Sequence, residues 1–171
     1  MTGACFMLAY LQFDLTPELF QTLVLISICA IVFVTDITYM IIPNKVLLFF
    51  LPLFTIFNVI NPSTDWYNNF FGAVTGFLLI GFIILISRGG MGIGDMKLLG
   101  LFGLLLGFER TLLTFFIAVC VGSIIGIGLM LGKKRSSQHA IPFAPFLVLG
   151  AIMSMMYGDD MIAVYLSLLQ V

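Results

Sequence analysis

The chain has 171 residues, of which 61% are hydrophobic and only 9% are charged, and 18 of them are phenylalanine. A water-soluble domain carries about 25% charged residues, so this composition excludes an ordinary water-facing surface and indicates an integral membrane protein. The formal net charge is -1, and no basic stripe follows the chain. We therefore expect the lipid bilayer as a partner and no nucleic acid.

Apolar runs separated by turns predict an all-α polytopic membrane protein with about six transmembrane helices in one domain over residues 1–171. The predicted spans cover residues 19–38, 44–60, 69–87, 95–107, 111–131 and 142–157. Residues 1–13 are apolar too, but as a helix they reach only about 20 Å, less than the roughly 30 Å hydrocarbon core. They form a short N-terminal helix in this prediction, ahead of the helical bundle of residues 19–171.

Local signals predict where the helices begin and end. Thr16 is the expected N-terminal cap of the first span, with Pro17 in its first turn. A tight turn is predicted over residues 108–110. Gly158 and the two aspartates after it predict a break, with residues 161–171 as a continuation of the last helix or an interfacial tail.

Glycines spaced four residues apart recur along the spans and predict close helix packing, since small residues let helix backbones approach in lipid. These pairs are Gly72 and Gly76, Gly103 and Gly107, Gly122 and Gly126, and Gly128 and Gly132.

Charges divide between the two sides of the predicted bundle. Six of the seven basic residues fall in turns on one side, which the positive-inside rule makes cytoplasmic, and only Arg110 falls on the other. The basic residues of the first side are Lys45, Arg88, Lys97, Lys133, Lys134 and Arg135. Most acids fall opposite them: Asp14, Glu18, Asp65, Glu109, Asp159 and Asp160.

Asp36 and Asp95 are the two acids predicted on the basic side. Two spans lie between them and carry the chain out and back, so both carboxyls should reach similar depth on one face. Each also has a simpler explanation: Asp95 could cap the helix that follows it, and Asp36 could pair with Lys45 or Arg88 at the interface. Their joint position favours a functional pair, because ionisable groups near a bilayer core usually serve function.

Two carboxyls held close together in a poorly hydrated site tend to share one proton. The ionised member can take a proton from water while the protonated one hydrogen-bonds a carbonyl, as in aspartic proteases. Such chemistry requires no cofactor and no metal, and the three separated cysteines and the lone His139 have no zinc-ligand spacing. Gly92 and Gly94 would leave backbone room for an extended peptide beside Asp95, and Lys97 is expected to make a headgroup or electrostatic contact.

These residues resemble the type IV prepilin peptidases, which are GxGD-type aspartic leader peptidases of family A24. Gly92 to Asp95 resembles the GxGD motif, and Asp36 followed by Pro43 and Asn44 resembles the first aspartate motif. The segment from Pro142 to Pro145 is similar to a third signature, in which glycine is usual at the position of Ala144. The likeness covers the chain in order. It implies Asp36 and Asp95 as the catalytic pair, with Gly92, Gly94, Pro43, Asn44, Lys97, Pro142 and Pro145 as active-site or substrate-contact residues.

The resemblance further implies removal of the leader from type IV prepilins or pseudopilins of pili, type II secretion or competence, at the cytoplasmic face of the cell membrane. Full-length members begin with a further span and a domain with two CxxC pairs associated with N-methylation. This chain has no CxxC pair, so methyltransferase activity is not expected, and the chain is either a peptidase-only member or a catalytic portion. A small transporter or proton-relay bundle, or a non-catalytic assembly factor, remains an alternative for the same carboxylates.

Overall fold

The structure is a computed structural model and describes residues 2–60, 66–87, 90–131 and 142–169. Regular secondary structure in these ranges is entirely helical and confirms the predicted all-α class. The helices are α1 (Thr2–Phe13), α2 (Pro17–Tyr39), α3 (Asn44–Ile60), α4 (Trp66–Ile86), α5 (Ile93–Leu131) and α6 (Ala144–Leu169). Helices α2, α4, α5 and α6 are long and apolar enough to cross a membrane, whereas α1 and α3 are shorter apolar helices.

The start of α2 agrees with the sequence signals. Thr16 is the N-cap residue and Pro17 stands at the first helical position, where its missing N–H costs no hydrogen bond. The Thr16 hydroxyl donates backward to the Phe13 carbonyl at 2.8 Å and makes no side-chain cap bond to the helix.

Helix α5 contains both the fourth and the fifth predicted spans, joined at Gly107, whose φ of +78° departs from helical geometry. Its first half packs along α4, since Gly107 lies against Asn68 and Met96 lies against Gly81. Its second half packs along α6, with Arg110 and Gly122 contacting opposite parts of that helix. The chain therefore reverses at Gly107, and the turn predicted over residues 108–110 is misplaced, because those residues are helical.

Helix α6 continues without interruption to Leu169, so the break predicted at Gly158 is wrong and the alternative of a continued helix is confirmed. Gly158 serves packing instead: a Cβ there would lie 3.2 Å from the Arg110 side chain. Asp159 pairs with Arg110 at 2.7 Å, which gives this polar stretch a partner on α5.

Close glycine packing is confirmed between α4 and α5 and not everywhere it was predicted. A Cβ on Gly72 would lie 2.6 Å from the Gly103 carbonyl oxygen, and one on Gly76 would lie 2.7 Å from that of Leu99. Gly122 faces the Phe146 ring. Gly128 has no neighbour within 4 Å among the described residues and Gly132 lies outside them, so packing by this pair stays a prediction.

The bundle has two ends, which we name by their charged residues. The aspartate end holds Asp36, Asp95 and the start of α6 at Ala144. The arginine end holds Arg110, Asp159 and the beginnings of α2 and α4. Between them lies a continuous apolar core whose largest fully buried side chains include Phe54, Leu25, Ile28, Leu98, Phe102 and Leu147.

Candidate active site

Asp36 lies in the last turn of α2 and is almost completely buried, with 6% of its surface exposed. Its backbone carbonyl accepts a 2.9 Å hydrogen bond from the N–H of Met40, which takes the left-handed conformation that ends the helix. Its carboxylate accepts a 3.2 Å hydrogen bond from the backbone N–H of Ala144. The end of α2 is thereby attached directly to the start of α6.

Asp95 lies in the first turn of α5 and is 7% exposed. It is inside the helix, not before it, because the helix begins at Ile93. Its backbone N–H donates to the Gly92 carbonyl at 3.1 Å, and its carboxyl lies beside Gly92, where a Cβ would be 3.1 Å from Asp95 Oδ2. Asp95 is therefore not the residue that precedes and caps the helix, as the simpler explanation from the sequence had it.

The two carboxyls lie at the same end of the bundle, since Asp36 is in the last turn of α2, Asp95 is in the first turn of α5, and Ile42 just after α2 packs on Gly94 beside Asp95. Within the described ranges the sole ion pair joins Arg110 and Asp159 at the opposite end, so Lys45 does not neutralise Asp36. Arg88, the other partner considered for Asp36, lies outside the described residues. Two buried acids at one site, with no described counterion, have the lowest free energy when they share a single proton. One ionised and one protonated carboxyl are what acid–base chemistry on a substrate carbonyl requires.

The segment with Pro43 and Asn44 is held against the start of α5. Lys97 donates from Nζ to the Asn44 Oδ1 at 3.0 Å. Of the two contacts expected for Lys97, a lipid headgroup or an electrostatic contact, this hydrogen bond is of the second kind. Ile42 packs on Gly94, where a Cβ would lie 3.1 Å from its side chain. The backbone room predicted at Gly94 for a peptide is therefore filled by Ile42, because the connection from α2 to α3 folds over it.

The prolines of the candidate site lie at the starts of α3 and α6. The Pro43 carbonyl accepts from the Val46 N–H at 3.0 Å in the first turn of α3. Pro142 precedes α6 and Pro145 is its second residue, a position that requires no backbone donor. All three motif segments of the sequence thus meet at the aspartate end.

Ala144 is the site residue that sequence reasoning did not single out for a role. Its side chain is fully buried, and its contribution is a main-chain N–H, which every residue except proline carries. The flanking prolines were the only available signal, since they mark a backbone held in fixed geometry.

An apolar groove of about 560 Å³ runs from this site along the surface between α3, α4 and α5. Asn44 and Lys97 form its polar rim at the aspartate end. The rest of its wall is apolar, with Leu47, Leu51, Val74, Phe77, Leu101 and Leu104 among its residues. Among the described residues, no three or more His, Cys, Asp or Glu side chains are grouped as a metal site would require.

The fold and the site together define the chain as an integral membrane protein with a candidate two-carboxyl active site at one end of its helical bundle. Comparison with known proteins names the family: the chain belongs to the type IV leader peptidase family, whose model matches residues 23–127, a stretch that includes Asp36 and Asp95.

Curated relatives carry the name prepilin leader peptidase/N-methyltransferase. One from Bacillus subtilis (strain 168) is 38% identical over 168 residues, 98% of this chain and 68% of the relative. One from Aeromonas salmonicida (strain A449) is 31% identical over 77% of this chain and 47% of the relative, and one from Aeromonas hydrophila is 30% identical over the same shares. The chain thus spans about two thirds of the first relative and about half of the others. No solved structure gives a significant match.

Proposed function

We propose that the chain is a membrane-embedded aspartic endopeptidase that removes the leader peptide of type IV prepilins or pseudopilins. The observation that carries this proposal is that two buried carboxyls, Asp36 and Asp95, lie at one end of the bundle on two helices of a leader peptidase family member, with no ion pair to either among the described residues. The names of the relatives support the choice of prepilins as substrates.

In the proposed mechanism the ionised aspartate takes a proton from a water molecule, and the water oxygen attacks the scissile carbonyl. The protonated aspartate hydrogen-bonds the carbonyl oxygen, which becomes a hydroxyl of the tetrahedral intermediate. Collapse of the intermediate breaks the C–N bond as one carboxyl gives its proton to the leaving amine and the other takes a proton from a hydroxyl of the intermediate, so the pair again holds one proton. The Ala144 N–H acts as a positioning donor that fixes Asp36 for these transfers.

The groove between α3, α4 and α5 suits the apolar part of such a substrate. A leader peptidase acting on a membrane-inserted chain must hold an apolar helix beside a water-accessible scissile bond. The apolar wall of the groove ends at Asn44 and Lys97. Lys97 lies on α5 two residues after Asp95. In this proposal the substrate helix lies in the groove and its cleavage site reaches past that polar rim.

The distribution of basic residues supports a cytoplasmic location for the aspartate end in the cell membrane. Lys45 and Lys97 lie near that end, whereas Arg110 lies at the other end beside Glu109 and Asp159. A cytoplasmic site would meet the leader on the side where positive charges of membrane proteins are retained.

The test is cleavage of a prepilin by the detergent-purified chain, with wild type beside Asp36→Asn and Asp95→Asn. Either amide removes a proton-transfer group, so we expect cleavage to fall at least about a hundredfold. Asp14→Asn, an exposed acid at the arginine end, is the matched control and should cleave like wild type. The mass of the new N-terminus identifies the bond cut and shows whether a methyl group is added. Unchanged cleavage by either variant, or none by a folded wild type, contradicts the proposal.

A further inference from the structure

A polar cavity of about 820 Å³ occupies the arginine end, away from the aspartate pair. Its walls come from the first turns of α2 and α4, the residues around the Gly107 reversal, and residues 155–160 of α6. Gln21 in this wall and Asp36 are separated by about 22 Å along the axis of α2. The proposed hydrolysis therefore leaves the cavity without a role, although its volume is that of a small-molecule site.

The charge of the cavity is strongly negative. Glu18, Glu109, Asp159 and Asp160 line it, and Arg110 is the one basic residue among the lining side chains that the structure describes. Arg110 is held by Asp159 through hydrogen bonds of 2.7, 2.8 and 3.2 Å. Glu18, Glu109 and Asp160 are thus left facing one space without a described basic partner, and this arrangement attracts a cationic group.

Gln21 supplies an independent indication of a ligand. Its side chain lines the cavity, is only 7% exposed, and its Nε2 has no hydrogen-bond acceptor among the described residues. A buried amide donor is expensive to leave unpaired, and more so at membrane depth. Nε2 is itself closed to solvent, so a bound group with an acceptor oxygen would satisfy it once the Gln21 amide turns toward the cavity.

The ligand must therefore carry a cation and an acceptor oxygen, and the remaining wall shows that it is also partly apolar. Phe13, Leu105, Leu106 and Met155 line the same space. Gln21 lies about one turn inside α2, whereas Glu18 lies in the first turn and is exposed. Exposed acidic groups, a buried amide one turn further along α2 and apolar side chains in the same cavity match the groups of a phospholipid with an amine headgroup.

We propose that this cavity binds an aminophospholipid of the ethanolamine type. The ammonium group contacts Glu18, Glu109 and Asp160, and the phosphate lies toward Arg110. A glycerol-ester oxygen accepts the hydrogen bond from Gln21, and the upper acyl chains contact the apolar wall. The inference does not depend on peptidase activity, since it concerns the opposite end of the bundle.

The experiment is native mass spectrometry of the detergent-purified full chain with phosphatidylethanolamine, or with phosphatidylglycerol of the same acyl chains. We expect about a tenfold preference for phosphatidylethanolamine, the size of one lost charge-assisted contact. Gln21→Leu and the Glu18→Gln/Glu109→Gln double variant should each reduce its retention by about the same factor. Asp14→Asn changes an exposed acid outside the cavity and should retain the lipid like wild type.

Thermal unfolding separates a binding role of Gln21 from a structural one. In lipid-free detergent Gln21→Leu should be at least as stable as wild type, because the amide it removes has no described partner. Added phosphatidylethanolamine should raise the Tm of wild type and not that of the variant. Equal retention of phosphatidylglycerol, full competition by free glycerophosphoethanolamine, displacement by a short basic peptide, or unaltered binding by the variants overturns the proposal.

Discussion

At the residue scale, the candidate site depends on a main-chain group as much as on its carboxyls. The Ala144 N–H is the described donor to the Asp36 carboxylate, and the Ala144 side chain is fully buried beside it. Any larger side chain at this position must displace the segment that carries the donor, because a packed interior has no room for added methylenes.

Substitutions at Ala144 should therefore separate the donor from the side chain. Ala144→Gly keeps the N–H and adds no volume, so we expect prepilin cleavage within about threefold of wild type, with a stability cost below about 1 kcal/mol. Ala144→Leu should reduce cleavage by at least about tenfold, since moving a positioned group by about 1 Å is costly to catalysis. Cleavage rate and thermal unfolding are measured on the same preparations, and equal rates for the two variants would contradict the positioning role.

The acids of the site could be predicted from the sequence because charge is rare in this chain. Asp36 and Asp95 stood out as acids on the basic side, and the structure brings them together. Their catalytic role remains a prediction. Ala144 could not be found in the same way, since a backbone donor leaves no trace in residue type. Gly94 was predicted to leave open space because sequence does not show that Ile42 folds over it.

At the scale of the helices, the lengths of the apolar runs predicted where the helices lie. Single glycines and turn residues predicted the helix ends less reliably. Gly107 reverses the chain in one residue because its φ is positive, a conformation that glycine adopts without strain. Asn68 stabilises this reversal by accepting a 3.0 Å hydrogen bond from the Phe108 N–H through its Oδ1. Gly158 has similar neighbours in sequence but lies inside a helix, since its small size serves the contact with Arg110. Tertiary packing distinguishes the two glycines, and sequence alone does not.

The α4–α5 contact offers a direct test of glycine packing. Gly72→Ala would place a methyl group 2.6 Å from backbone atoms of Gly103 and Gly107, neither of which can rotate away. We expect a loss of about 1–3 kcal/mol in the free energy of unfolding, as for overpacked cores. Gly128→Ala on α5 is the matched control, because a methyl group there meets none of the described residues within 4 Å.

That control should be neutral or stabilising by up to about 1 kcal/mol, since alanine favours helix over glycine. Thermal or denaturant unfolding in one detergent provides the comparison. Equal stability losses for the two variants would show that the close approach of α4 and α5 is not what limits substitution at Gly72.

At the scale of the whole molecule, the chain separates two polar ends by an apolar core. The aspartate end carries the candidate catalytic pair and the arginine end carries the acidic cavity. Large exposed apolar side chains such as Leu48, Phe82 and Ile124 cover the surface between them, as expected for a bundle surrounded by lipid. The membrane orientation proposed from basic residues assigns each end to one compartment.

Cysteine labelling in intact cells tests that orientation. In a background with Cys5, Cys29 and Cys120 replaced by alanine, Lys45→Cys and Asp160→Cys place one thiol near each end, both at exposed positions. A membrane-impermeant maleimide should label Asp160→Cys in intact cells and Lys45→Cys only after permeabilisation. Prepilin cleavage by both variants is the control for correct folding, and the reverse labelling pattern would place the aspartate end outside the cytoplasm.

The reversal at Gly107 has a consequence for the surrounding bilayer. The helical segment from Ile93 to the residue before Gly107 rises only about 21 Å, whereas the hydrocarbon core measures about 30 Å. Lipids beside this segment must shorten or bend to meet it, and such hydrophobic mismatch costs a fraction of a kcal/mol per Å. We therefore expect the bilayer to be thinner next to Asp95 than beside the longer helices, which would shorten the path of headgroup water to this carboxyl. Bilayer thickness, set by acyl chain length, thus becomes a determinant of how readily water reaches the aspartate pair.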